Sequence, residues 1–421
     1  MEDTANGPGG NNKPAGSVYK VAYLPGNGTG SPWSDEIKKD TLINLPGQGE
    51  LIPPEEQAVF GGWNYNDGIY PAGSKYKVTK NVTFNARWAF DTLDGIKTYL
   101  EDEETGNSVL ITVTGGAEPN DSDTEALTWK NLLSAIKAAG EAGKTVELDL
   151  SGSTLALFGT IFDYTDGTGT AYNTGEKYIK KLILPLAAEA ITSIFYQESY
   201  GGDNGYKSYF SNLEEVSGIN VKSIPVNAFN TLSKLRAFDF PNATYIGGSA
   251  FLECKGLESV SLPAAGYIDQ NAFKNCTSLT SVSLPVATYI GGSAFDSDSM
   301  DSLELPAATS ISSSAFTNCK KLESVSLPAV KTITSNAFNG CEKLTSVSLP
   351  AVYSLIGNAF DKCNALTTIT ISAGCSITGN DKTPNGFKSY YESTDGHTTM
   401  AAGVYTYGNS KWSYAPLGGT S

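Results

Sequence analysis

The chain has 421 residues, of which 40% are hydrophobic and only 17% charged, with Gly, Ser, Thr and Tyr filling the difference. That length allows two or three domains, or one long array with flanks, and the profile is that of an extracellular β-rich protein. With 29 basic against 44 acidic residues the net charge is −15, a surface that repels phosphate backbones and argues against nucleic acid as a partner.

The single histidine, His397, excludes metal sites built on several imidazoles. Any Ser-His-Asp or Cys-His pairing would have to pass through it, and its Ser-Thr-Asp-Gly-His-Thr-Thr setting reads as a surface turn. No apolar run approaches the ~20 residues of a membrane span. The polar opening Met1–Gly10 predicts a linker that follows a removed export or lipoprotein segment.

Residues 1–17 are Gly/Pro/Asn-rich and predict a flexible tether. From Tyr19 the pattern changes. Tyr19–Leu24, Val59–Trp63, Tyr76–Val78 and Val82–Trp88 read as short strands around a small aromatic core, with Trp63 and Trp88 inside it. The pieces YKVAYLPGNGTG, GGWN, YPAGSKY and VTFNARW occur in that order over residues 18–89. There the chain resembles the Listeria–Bacteroides repeat, the module family of the internalin B repeats. The resemblance implies a compact β-grasp-like module of exported bacterial surface proteins.

Residues 91–104 predict a short helix with Ile96, Tyr99 and Leu100 on one face, and Val109–Thr114 predicts a strand. Residues 125–139 form the strongest helical pattern, with Leu127, Leu132, Leu133, Ile136 and Ala139 in one stripe ended by Gly140 and Gly143. Residues 90–144 therefore read as a helix/strand cap over one end of a solenoid, because an exposed terminal repeat needs a polar-faced cover. Val146–Leu150 reads as the first solenoid strand.

Residues 145–372 repeat. LESVSLPAAGYIDQNAFKNC from Leu257 returns from Leu279, Leu322 and Leu344. The Phe of each Ala-Phe pair falls at 229, 251, 273, 295, 316, 338 and 360, in steps of 22 with a single 21 between Phe295 and Phe316. Within one repeat Val260 and Leu262 share a strand face, with Ser259 and Ser261 opposite. Pro263 lacks an amide donor and ends the ladder, Ile268 starts a return segment, and Phe273 fills the centre. One such coil cannot bury its apolar face alone, so neighbours must stack.

The pattern LxxVxLPxxxxIxxxAFxxCxxL, met from Leu257 to Leu366, resembles the Treponema pallidum-type, or BspA-like, leucine-rich repeat. That resemblance implies a right-handed solenoid with a sheet on its concave side, and cell-surface or secreted proteins of host-associated bacteria, several of them adhesins. The fold expected is mainly β with some α, a leucine-rich-repeat solenoid preceded by the small module. Residues 373–421, with Phe387–Tyr391, Ala402–Tyr407 and Ser410–Tyr414, resemble the ending met after such repeats and read as a helix and hairpin capping the open end.

Cys254, Cys276, Cys319, Cys341 and Cys363 each lie three residues after the repeat Phe; Cys375 falls outside the pattern. A spacing of 22 is no zinc signature. Stacking brings neighbouring Cα atoms to ~4.8 Å, within disulfide range, but with parallel Cβ vectors, so a ladder of free, buried thiols is expected.

The row Ser259, Ser261, Ser281, Ser283, Ser324, Ser326, Ser346 and Ser348 faces outward, either as a solvated sheet face or as a polar platform. Tyr245, Tyr267 and Tyr289 each precede a repeat Ile and should stack in three successive coils, facing solvent, as mutual support or as an aromatic binding strip. Two inserts of 11 and 12 residues fall at the same point of adjacent coils, within 163–178 and 196–212. They carry Tyr164, Tyr172, Tyr200, Tyr206 and Tyr209 among Gly, Ser and Asn, the composition of a paratope, or else they are end-capping loops. Asp163, Asp166 and Asp203 could attract calcium, but no EF-hand-like spacing exists.

No nucleophile–base pair, phosphate loop or metal cluster is visible, so no catalysis and no cofactor are expected. The expected role is a surface or secreted protein binding a host or microbial protein or glycan. The alternative is a spacer that only displays or self-associates.

Overall fold

The structure is a computed structural model describing residues 18–25, 28–53, 58–65, 68–70, 74–102, 108–115, 127–153, 175–185, 188, 210–356, 358–378, 387–392, 401–408 and 411–416. Its first part holds β1 (Val18–Leu24), β2 (Trp33–Lys38), β3 (Leu42–Asn44), β4 (Val59–Tyr65), β5 (Gly68–Tyr70), β6 (Lys75–Lys77) and β7 (Val82–Ala89). Five of these form a sheet in the order β2-β1-β7-β4-β5, with β1 and β7 parallel, while β3 and β6 pair separately.

Alternation in β1 and β7 puts Tyr23 and Phe84 inside, 5.8 Å apart, against a fully buried Trp63. Both expected core tryptophans are buried, and each indole N–H finds a carbonyl: Trp63 donates to Pro46 at 2.7 Å and Trp88 to Pro25 at 2.9 Å. Strand β2 was not expected. Its sequence WSDEIK has no apolar alternation, because it lies at a sheet edge where acidic side chains discourage further pairing.

α1 (Leu93–Asp102), β8 (Ser108–Gly115), α2 (Trp129–Glu141) and β9 (Thr145–Ser153) follow. Within the region read as the helix/strand cap, Val109–Thr114 lies in β8, as the strand expected there. It pairs in parallel with β9 and forms the outer edge of the first repeat sheet. Val109, Ile111 and Val113 present the same buried face as Val146, Leu148 and Leu150, and a period of two does not tell a cap strand from a first coil.

Helix α2 begins four residues later than its apolar stripe suggests, because Thr128 caps it, accepting from the Asn131 N–H at 3.2 Å. The buried Lys144 ammonium donates to the Leu100 carbonyl and holds the C-terminal end of α1.

The repeats contribute two short strands per coil. After a 3-10 turn at Gly175–Tyr178 and β10 (Ile179–Ile183), these are β11 and β12 (Glu215–Ser217, Ser223–Ile224), β13 and β14 (Ala237–Asp239, Tyr245–Ile246), and β15 and β16 (Ser259–Ser261, Tyr267–Ile268). Then come β17 and β18 (Ser281–Ser283, Tyr289–Ile290), β19 and β20 (Ser302–Glu304, Ser310–Ile311), and β21 and β22 (Ser324–Ser326, Thr332–Ile333). β23 and β24 (Ser346–Leu349, Ser354–Ile356) and β25 and β26 (Thr368–Ile371, Ser376–Thr378) complete the series.

The second strands form one unbroken parallel sheet, β12 to β26. The first strands form three sheets, interrupted between β13 and β15 and between β17 and β19. Both interruptions lie at irregular coils. Phe238 and Phe240 stand in β13's coil where other coils carry Val and Leu, and the coil between β17 and β19 is one residue short.

Between the sheets runs a spine of stacked rings, Phe229 to Phe360, with centroids 5.0–5.4 Å apart. At the far end α3 (Phe387–Tyr391) and the hairpin β27–β28 (Gly403–Gly408, Lys411–Pro416) follow, with β27 antiparallel to β25. Tyr391 donates to the Ser372 carbonyl at 2.8 Å and accepts from the Cys375 N–H at 3.1 Å, tying α3 to the last coil.

Candidate functional site

The described part of the predicted site is the tyrosine strip. Each of β14, β16 and β18 is a Tyr-Ile dipeptide in parallel register. The strand turns Ile246, Ile268 and Ile290 fully inward, so alternation turns Tyr245, Tyr267 and Tyr289 outward. The rings stack at 5.6 and 4.4 Å, tilted by 21° and 14°. Tyr267 is 39% exposed and its two neighbours are partly covered.

Because the rings lie face to face, all but the two end faces of the stack are spent on one another. Solvent meets a row of edges and phenol hydroxyls. The same register position holds Ser223 before the strip and Ser310, Thr332, Ser354 and Ser376 after it. The strip is therefore an aromatic ridge at a register position that otherwise holds small hydroxyl residues.

Asp269 completes the ridge and was not anticipated. Its carboxylate accepts from the Tyr245 hydroxyl at 2.9 Å and from the Gln270 N–H at 2.7 Å. The signal was present: the coil of Tyr267 reads Tyr-Ile-Asp where its neighbours read Tyr-Ile-Gly. Partial burial raises the Tyr245 phenol's pKa, and the bond to Asp269 raises it further. Partial burial also raises that of Tyr267, with Tyr289 and Asp269 adding to it. The Tyr245 and Tyr267 phenols therefore stay protonated near neutral pH, with that of Tyr245 already donating to Asp269.

Tyr164, Tyr172, Tyr200, Tyr206 and Tyr209 lie outside the described residues, as do Asp163, Asp166, Asp203 and His397. The flanks of the inserts are described. Asn212 bridges them, its amide donating to the Lys177 carbonyl at 2.6 Å while its oxygen accepts from Lys234 at 2.6 Å. The serine row is mostly exposed, around buried Val260, Val325 and Val347.

All six cysteines are free and buried. The five in register each donate a thiol hydrogen to the carbonyl of the Phe one coil back, from Cys254 to Phe229 at 3.1 Å through Cys363 to Phe338 at 3.0 Å. Among the described residues no group of three His, Cys, Asp or Glu side chains could hold a metal ion. No described helix is long and apolar enough to cross a membrane.

Residues 203–309 and 288–382 match the BspA-type leucine-rich repeat region, in six copies. The chain carries BspA-type leucine-rich repeats. Such a repeat array is a protein-interaction scaffold.

Three solved structures are similar to it. A leucine-rich repeat protein from Bacteroides ovatus is 18% identical over 48% of this chain, with a TM-score of 0.32; the match spans 66% of that protein, just under two thirds. A leucine-rich cell surface protein from Faecalibacterium prausnitzii is 16% identical over 68% of this chain and 85% of its own, with a TM-score of 0.27. A leucine-rich repeat protein from Eubacterium ventriosum is 18% identical over 65% and 84%, with a TM-score of 0.29. No curated protein matches.

Proposed function

We propose that this chain is a non-catalytic, exported bacterial binding protein, displayed on the cell surface or secreted, whose repeat array holds a host or microbial macromolecule. The observation that carries the reading is the tyrosine ridge: three stacked rings project from a register position that holds Ser or Thr in the other coils of the sheet. Tyr is a rigid, amphipathic anchor with little conformational entropy to lose, and it is enriched at binding hot spots.

The ridge favours a protein partner over a glycan. Sugars pack on ring faces, and here only the two end faces of the stack are left; edges and hydroxyls suit backbone carbonyls and polar side chains. The net charge of −15 disfavours acidic partners. The cell-surface description of the F. prausnitzii relative agrees with an exported role.

The test is an array of matrix proteins, bacterial surface proteins and glycans probed with the wild type, with Tyr245, Tyr267 and Tyr289 all replaced by Ala, and with Tyr200, Tyr206 and Tyr209 replaced by Ala. The reading expects a protein ligand whose affinity falls at least about tenfold in the first variant, the ~1.4 kcal/mol that one good anchor supplies. Unchanged binding in the first variant would remove the ridge. Concentration-dependent self-association with no heterologous ligand would favour the spacer role instead.

A further inference from the structure

The coil between Phe295 and Phe316 departs from the repeat in three ways at one place. It is one residue short, with the fully buried Met300 filling the place of the repeat Leu. The first sheet is interrupted there, between β17 and β19, although the second sheet runs through unbroken from β18 to β20. The third departure is Asp298, which stands where the coils of Phe251, Phe273, Phe316, Phe338 and Phe360 carry Cys.

Asp298 is 2% exposed, and neither carboxyl oxygen has a hydrogen-bond partner among the described residues. In the coils around it, the carbonyls of Phe229, Phe251, Phe295, Phe316 and Phe338 each receive a thiol hydrogen from the next coil. By register the carbonyl of Phe273 should receive its hydrogen from residue 298. A protonated carboxyl can supply that hydrogen. A carboxylate cannot, and would bury a charge against a carbonyl dipole.

We propose that Asp298 is a pH-responsive element of the solenoid: neutral, it replaces a thiol in the buried ladder; ionised, it must reach water and opens the coil between β17 and β19. The charged and titratable groups facing it offer no relief. Cys276 and Cys319, above and below, are themselves buried thiols. Asp296 is a like charge, and its own partner, Lys274 at 2.9 Å, is engaged with it. The Cys276 amide dipole favours the charge but does not reach hydrogen-bond geometry.

Burial therefore raises the Asp298 pKa well above the usual carboxylate range. The sign follows. Between the unfolded value near ~3.9 and the raised folded value, the native coil binds the proton more tightly than the opened one, so local stability falls as pH rises through that window. Acidification closes the coil and alkalisation loosens it. The opening separates the ridge-bearing coils, which end at Tyr289, from the coils that begin at Ser302.

Hydrogen exchange by mass spectrometry at pH 5 and pH 8, corrected for the intrinsic pH dependence of amide exchange, tests this on the full chain. In the wild type the corrected opening of peptides spanning 296–303 should be at least about tenfold faster at pH 8 than at pH 5. Asp298→Asn keeps the size and a donor without the charge, and Asp298→Cys restores the ladder; both should lose the pH ratio. Should Asp298→Asn fail to fold, Asp298→Cys decides alone. An equal pH ratio in the wild type and a folded variant, or a wild-type ratio near one, overturns the proposal.

Discussion

At the scale of single residues, the six coils from Phe229 to Phe338 each use two backbone positions with positive φ, two residues before and two after the repeat Phe. Asn227 and Thr231 flank Phe229, Asn271 and Asn275 flank Phe273, and Ser314 and Asn318 flank Phe316. This left-handed conformation lets successive amides reach the next coil, as Thr231 does in donating to Leu252 at 2.7 Å. Asn tolerates it; a β-branched residue does not. Thr231, at φ 63°, is therefore strained. Thr231→Gly should stabilise the protein by about 0.5–1 kcal/mol, the relieved strain exceeding glycine's extra unfolded entropy. Urea unfolding measures it, and a lowered midpoint would contradict the assignment. The ring spine responds in the opposite direction. Phe273→Ala removes a fully buried ring stacked between two others and should cost about 3–5 kcal/mol in the same measurement.

At the scale of elements, the cysteine ladder is the clearest case of sequence register becoming structure. Burial pushes the Cys254 thiol far above its ordinary range and the Cys375 thiol up to about 12. Because all six thiols are buried away from reagent, the native protein should show no fast-reacting thiol even at pH 9, whereas all six should titrate after denaturation without reductant. Fewer than six in the unfolded chain would mean disulfides.

This ladder, the Phe spine and the outward tyrosines were legible because each coil repeats one steric solution at a fixed step of 22. Strands β2 and β3 were not: β2 lacks apolar alternation and β3 is only three residues long, and each forms through a partner supplied from β1 or β6. Strand β8 was legible as a strand but not as a member of the repeat sheet, since alternation names a buried face and not the neighbour that buries it. The partnership of Asp269 with Tyr245 needed coordinates, because it joins residues one coil apart.

At the scale of the whole molecule, the N-terminal sheet and the repeats are joined by buried polar chemistry. Phe90 extends β7 into the repeat sheet, donating to Thr112 at 2.7 Å and accepting from Thr114 at 2.9 Å. The Arg87 guanidinium, buried beneath β7, pairs with Asp149 at 2.8 Å and donates to Ser151 at 2.9 Å. Removing one member strands the other charge in the interior. Arg87→Met should therefore cost about 3–5 kcal/mol and split off an early unfolding step of the tryptophan-bearing module, seen by fluorescence. Pairing it with Asp149→Leu should recover much of the loss. An unchanged single transition in Arg87→Met would show that the joint lies elsewhere.

In the function proposed above, the tyrosine ridge is the contact surface of this scaffold. Chemical footprinting of tyrosines by acetylation, read by mass spectrometry with and without the bound protein partner, tests it most directly. Free protein should acetylate Tyr267 readily, because it is the most exposed ring of the three. Partner binding should protect Tyr245, Tyr267 and Tyr289 together while exposed Tyr353, on a later coil, keeps reacting. Undiminished acetylation of all three ridge tyrosines in a saturated complex would contradict the claim.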